Sequence, residues 1–214
     1  MGDGAGSPSE LLASSIAAID EANAADPVSI DVDGVPRPKE VVHAERMTYW
    51  LGILDPDASL AQQLAARAHH LRRWVSPRSD YPEGRTAYLR WRADHKRRQA
   101  SEVADLLTGV GVDDDTIGRV ATIVAKKDLR GDPDVQTHED ALCLVFLELQ
   151  LADVASQLGD DHTIEVLGKT AKKMSERGLA TVSTVDLPEH ARRLLARALA
   201  PDAEEAGEGG GGGA

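Results

Sequence analysis

The 214-residue sequence predicts an all-α protein. Aromatic residues make up only 3% of the chain, while Ala and Leu dominate the 42% that is hydrophobic, a composition suited to packed helices. Apolar residues recur at i, i+3, i+4 and i+7 through most of the sequence. Clusters of Pro, Gly and Asp divide this pattern into about eight segments of helical length, with no convincing strand.

The first helix is predicted from about Ser9 through Ala25, with Leu12, Ile16 and Ile19 on one face and Asp26-Pro27 as its stop. A loop rich in Pro, Asp and Gly follows to Pro38. Its alternating stretch Val28-Ser-Ile-Asp-Val32 lacks an evident partner and reads as extended loop. Lys39 to Leu54 forms the second helix, whose buried stripe is His43, Met47, Trp50, Leu51 and Leu54. Asp57-Ala-Ser59 supplies a cap for the third, with Leu60, Leu64, Ala68 and Leu71 in line. After a polar and aromatic loop from Trp74 to Arg85 come helices at about Thr86–Leu107, Asp114–Lys127, Pro133–Leu158, Thr163–Arg177 and Pro188–Leu199. Residues 1–8 and 201–214 read as disordered tails. The second ends in acidic residues and five glycines, which bury too little apolar surface to offset ordering. Residues 9–200 are thus expected to form one domain.

The net charge is −12, but it is unevenly placed. Between Arg67 and Arg98 ten cations face only Asp80, Glu83 and Asp94. Such a patch on an acidic chain suits a small anionic molecule rather than a long nucleic acid. No apolar run reaches the ~20 residues of a membrane span, and the N-terminus lacks the features of a signal peptide. The single cysteine, Cys143, lies in an apolar run, so no disulfide forms within the chain. A soluble, cytoplasmic protein is expected; oligomeric state is not readable.

The segment Ala68-His-His-Leu-Arg-Arg-Trp74 places two imidazoles beside two guanidinium groups. Imidazole is a common ligand of transition metals, and guanidinium is a preferred partner of phosphate. His43, His70 and Asp140 fall where three helices can converge, with His69 as a substitute ligand. Two imidazoles and a carboxylate suit Mn, Fe, Co, Ni or Zn. Arg72, Arg73 and Arg78 are the candidate phosphate clamp, and Glu139 is the candidate to orient a ligand or act as base. Trp74, Tyr81, Tyr88 and Trp91 either stack on a base or pack the loop onto the fourth helix. His95, His138, His162 and His190 lie among polar residues and read as surface positions.

The order His43 … His70 … Asp140 resembles the HD superfamily of helical, metal-dependent phosphohydrolases, over roughly residues 40–155. That superfamily carries His-Asp at the doublet, where this chain has His70-Leu71 or His69-His70. The resemblance implies an HD-like helical bundle and hydrolysis of a nucleotide or other small phosphorylated ligand. The alternative is a non-catalytic anion-binding or protein-interaction module on a degenerate HD scaffold.

A broader resemblance rests on Arg46-Met-Thr48, Ala66 to Trp74, Pro77-Arg78, Tyr81-Pro82, Tyr88-Leu-Arg-Trp-Arg92, Glu139-Asp140, Cys143 to Leu147 and Lys169 to Ser175. These blocks are similar to a bacterial family known as domain of unknown function 4202, which implies a shared fold and no particular reaction. Lys173-Met-Ser175 is similar to the opening of a class I aminoacyl-tRNA synthetase loop. The nucleotide-binding strands and Gly-rich turn that such a loop serves are missing from the sequence pattern, which argues against synthetase activity.

Overall fold

A computed structural model describes residues 7–200, and within them the chain is mostly α-helical. The tails expected to be disordered lie outside the described residues, except for Ser7 and Pro8. Those two begin the first helix, α1 (Pro8–Ala24), through a capping box in which Ser7 and Glu10 satisfy each other's backbone N–H groups.

The stretch read as an unpartnered loop is half of a small antiparallel hairpin. β1 (Ser29–Val32) pairs with β2 (Val35–Pro38), with Ser29 opposite Pro38 and Val32 opposite Val35. Asp33 and Gly34 both take positive φ, as a tight two-residue hairpin turn demands. The Asp-Gly pair was the available signal for a partner strand.

α2 (Lys39–Leu54) follows directly, and its predicted stripe from His43 to Leu54 is buried as expected. Asp26 reaches across the hairpin to accept from the Glu40 backbone N–H at 3.0 Å, so this helix is capped from a distance. α3 (Leu60–Arg67) starts at a Ser59–Gln62 capping box and stops before the histidine doublet. After 3-10 turns at Arg73–Val75 and Arg78–Asp80 come α4 (Arg85–Gly109) and α5 (Asp114–Val124). The segment predicted as one long helix splits into α6 (Pro133–Leu149) and α7 (Leu151–Leu158), bent by 64° where Gln150 leaves helical geometry. α8 (Asp160–Ala171), α9 (Glu176–Thr181) and α10 (Glu189–Leu199) complete ten α-helices among the described residues. No single helix there is long and apolar enough to cross a membrane.

Two apolar clusters organise these helices. One joins α2, α6, α7, α8 and α10 around Met47, Leu144, Leu151 and Leu194. The other joins α1, α3, α4 and α5 around Ile19, Leu64, Leu107 and Ile123. Helix α2 packs on both α6 and α3, and α5 on both α3 and α6. The histidines gather where these two layers meet.

Candidate functional site

Helix α2 contributes Glu40 and His43, three residues apart and therefore on one face. After Arg67 the chain leaves the helix through Ala68. Leu71 N–H then donates to the Ala68 carbonyl, Arg73 N–H to that of His70, and Arg72 adopts a φ of 47°. Neighbouring residues on a helix diverge by about 100°. This turn instead lets both His69 and His70 face inward. Their rings lie 4.7 Å apart, and that of His43 lies 3.9 Å from His70 and 5.9 Å from His69. Helix α6 adds His138, whose Nε2 lies 2.8 Å from His69 Nδ1.

Burial holds all four imidazoles in the neutral form in which they bind metals. It is the leading cause that brings His43 and His138 down to about 3, and cationic neighbours (Arg73 for His43, Lys126 for His138) act in the same direction. His69 and His70 are held well below the usual histidine range by burial and by the neighbouring histidines. Burial pushes the Glu40 carboxyl up to about 7, against the pull of Arg73 and Lys39. Glu40 Oε2 lies 3.1 Å from His70 Nδ1, and Arg73 sits 3.2 Å from His70 Nε2. Both ring nitrogens of buried His43 are without a hydrogen-bond partner, an unusual state for buried polar atoms. Ligand atoms of Glu40, His43 and His70 lie within 4.8 Å of one another. This donor set fits a divalent transition metal.

His69 and His70 also form part of the wall of a cavity of about 390 Å³. Five cations line it: Arg73, Arg92, Lys96, Lys126 and Lys173. Tyr88, Trp91 and Phe146 supply aromatic surface. Arg73 lies over the Trp91 ring at 5.7 Å, and the Trp91 indole N–H donates to the Ser76 carbonyl at 2.9 Å. Tyr81 hydroxyl bonds Asp94 at 3.1 Å. The aromatic loop therefore packs onto α4, as one of the two sequence readings had it, while Tyr88 and Trp91 also face the cavity.

The sequence candidates are only partly brought together. His43, His69 and His70 converge, but Asp140 is committed elsewhere. Its Oδ1 accepts from Ser175 N–H at 2.9 Å and from Gln136 at 3.0 Å, and its Oδ2 accepts from the Ser175 hydroxyl at 2.5 Å. Glu40 takes the carboxylate place in the histidine group. Of the three arginines only Arg73 lines the cavity. Arg78 donates to the carbonyls of Tyr81 and Pro82 and holds the loop, while Arg72 points toward Glu102 at 4.0 Å. Glu139 is nearly inaccessible and forms an ion pair with Lys126 at 2.5 Å, with Lys173 at 4.0 Å, so it anchors lysines.

His95 and His138, read as surface positions, are buried, whereas His162 and His190 are exposed. The Glu-x-x-His spacing of Glu40 and His43 is a sequence signal that marks Glu40 as a candidate ligand. His138 falls in line with Val135, Ala141 and Val145, a buried stripe that could have flagged it. Lys126 and Lys173 had no local signal, because folding alone brings their loops to the cavity.

Comparison with protein families gives a match of residues 13–195 to a family described as a domain of unknown function, DUF4202. No curated protein and no solved structure gives a match.

Proposed function

The chain belongs to the DUF4202 family, and we propose from the geometry of its histidine group that it is an HD-like, metal-dependent phosphohydrolase acting on a nucleotide or similar small phosphorylated molecule. The observation that carries this reading is the buried Glu40–His43–His70 group, with both His43 nitrogens unpartnered, beside a cation-lined cavity. Two imidazoles and one carboxylate also serve iron oxygenases; the surrounding cations favour phosphate chemistry.

Glu40, His43 and His70 would hold the ion, which supplies Lewis acidity toward a phosphoryl oxygen and water. Arg73, fixed between His70 and Trp91, presents its guanidinium to the phosphoryl group as charge builds there. The His69–His138 pair backs the cluster and keeps the His69 ring in one orientation. Tyr88 and Trp91 offer faces for the organic part of the ligand.

A metal-free anion-binding module is the second reading, favoured by the Glu40–His70–Arg73 chain, which satisfies His70 without an ion. Elemental analysis of purified protein, paired with phosphate release from a nucleotide panel, decides between them. We expect stoichiometric Mn, Fe, Co, Ni or Zn, with metal and activity both lost in Glu40→Gln and His70→Gln. Asp140→Asn should retain the metal, because that carboxylate bonds Ser175. Metal-free protein that still binds nucleotide would establish the module instead, and a metal held equally well by Glu40→Gln and His70→Gln would remove this site.

A further inference from the structure

The cations of the cavity fall into two groups with separate anchors. Arg73 belongs to His70 and Trp91, and Arg92 lines the same cavity. Lys126 and Lys173 belong to Glu139, whose two oxygens face one lysine each. Lys96, projecting from α4, is destabilised as a cation by its own burial and then by Arg92 and Lys126, while Glu139 draws it the other way. Two ammonium groups from separate segments therefore share one buried carboxylate, and Lys96 joins them on the cavity wall with no ion pair of its own among the described residues. Such a surplus of like charge around one solvent-open cavity favours entry of an anion.

The local backbone is specialised for this placement. Lys126 holds a φ of 53°, uncommon for a residue with a side chain, and it does so where its ammonium meets Glu139. Lys173 is set by Asp140. Gln136 donates both to Asp140 and to the Lys173 carbonyl, at 3.0 and 2.9 Å, and Asp140 grips Ser175 two residues later. Gly178 stands against the same carboxylate, where an added Cβ would come within 2.6 Å of it. The loop carrying Lys173 is thus fixed to α6 next to the Glu139 that faces its ammonium.

We propose that Lys96, Lys126 and Lys173 form a second phosphate subsite, so that the ligand is a nucleoside di- or triphosphate rather than a monophosphate. This rests on the reading of the cavity as a site for phosphorylated ligands, but not on the metal. Arg73 takes one phosphate and the lysines take another, with Tyr88 and Trp91 facing the nucleoside. Asp140 is a positioning residue that acts through Ser175 and the Lys173 loop.

Calorimetric titration with the mono-, di- and triphosphates of adenosine and guanosine tests this, on the protein as purified and again in EDTA. Di- and triphosphates should bind at least about tenfold tighter than monophosphates in both conditions, since a hydrogen bond to a charged group contributes roughly ten- to hundredfold in affinity. Lys173→Gln and Lys96→Gln should each shrink that preference while leaving monophosphate affinity unchanged. Lys172→Gln, on an exposed neighbour outside the cavity, is the control that leaves both intact. Equal affinity for mono- and diphosphates, no binding of any of them, or lysine variants that weaken monophosphate by the same factor, would each overturn the subsite. The same preference in protein that carries no metal as purified would uphold the subsite and discard the hydrolase reading.

Discussion

Asp140 and Glu139 are sequence neighbours with opposite assignments, and the difference lies in what each oxygen meets. Asp140 is used up by hydrogen-bond donors of Ser175 and Gln136, while Glu139 pairs with lysine ammonium groups. His138, one residue earlier, shows how strongly burial governs this stretch. Its folded pKa of about 3 lies far below the 6.5 of an unperturbed imidazole. As pH falls below 6.5 the unfolded chain takes up a proton at this position and the folded chain does not. Stability supplied by the neutral ring is therefore complete above that pH and drains away on acidification toward 3. A His138→Gln variant, which keeps an amide near His69 Nδ1 but does not titrate, should lose stability less steeply. The difference in slope between pH 6 and 5 should approach ~1.4 kcal/mol per pH unit, read from urea unfolding in EDTA. Identical slopes would mean that His138 is protonated or solvated in the folded state.

The seam between α2 and α6 carries Glu40 and His43 on one side and His138 on the other, so its rigidity bears directly on the site. Glu148 on α6 accepts from the Arg46 Nε–H and the Trp50 indole N–H of α2, both at 2.8 Å. Truncating it strands the buried indole donor and one guanidinium together. Glu148→Ala should cost about 2 kcal/mol in denaturant unfolding, and Glu148→Gln clearly less, because an amide oxygen still accepts from Trp50. A cost equal in both variants would assign the effect to charge rather than to the indole bond. These helices were readable because their stripes, His43 to Leu54 in α2 and Leu144 and Leu147 in α6, follow the helical period and are buried as it requires. Breaks were harder to read. The halt of α3 at Arg67, the bend at Gln150 and the reversal at Lys126 are tertiary solutions written in no strong helix breaker. The doublet was legible as chemistry from residue type alone. Glu40 and His138 left fainter traces, a Glu-x-x-His spacing and a buried stripe, while Lys126 and Lys173 left none, since their roles arise only when distant segments close on the same space.

At the scale of the whole molecule, the site sits across the boundary of the two apolar clusters. Trp91 and Lys96 come from α4 and Lys126 from the end of α5, all in the α1–α3–α4–α5 layer. Phe146 on α6, Gln150 beside it and Lys173 after α8 come from the other. Five cations at one boundary push the layers apart when no anion is present, and an anion touching both sides ties them together. Pyrophosphate is the smallest probe that offers two phosphate groups. At a hundred times its dissociation constant it should raise unfolding free energy by ~2.7 kcal/mol. That gain should appear as one cooperative transition moved upward, with slower amide exchange in α4 and α5 as well as in α6 and α8. Screening should erode the gain as salt rises, because the contacts are ionic and the cavity opens to solvent. Protection confined to one layer, or a second transition left unmoved by pyrophosphate, would show that the cavity belongs to one layer and does not couple the two.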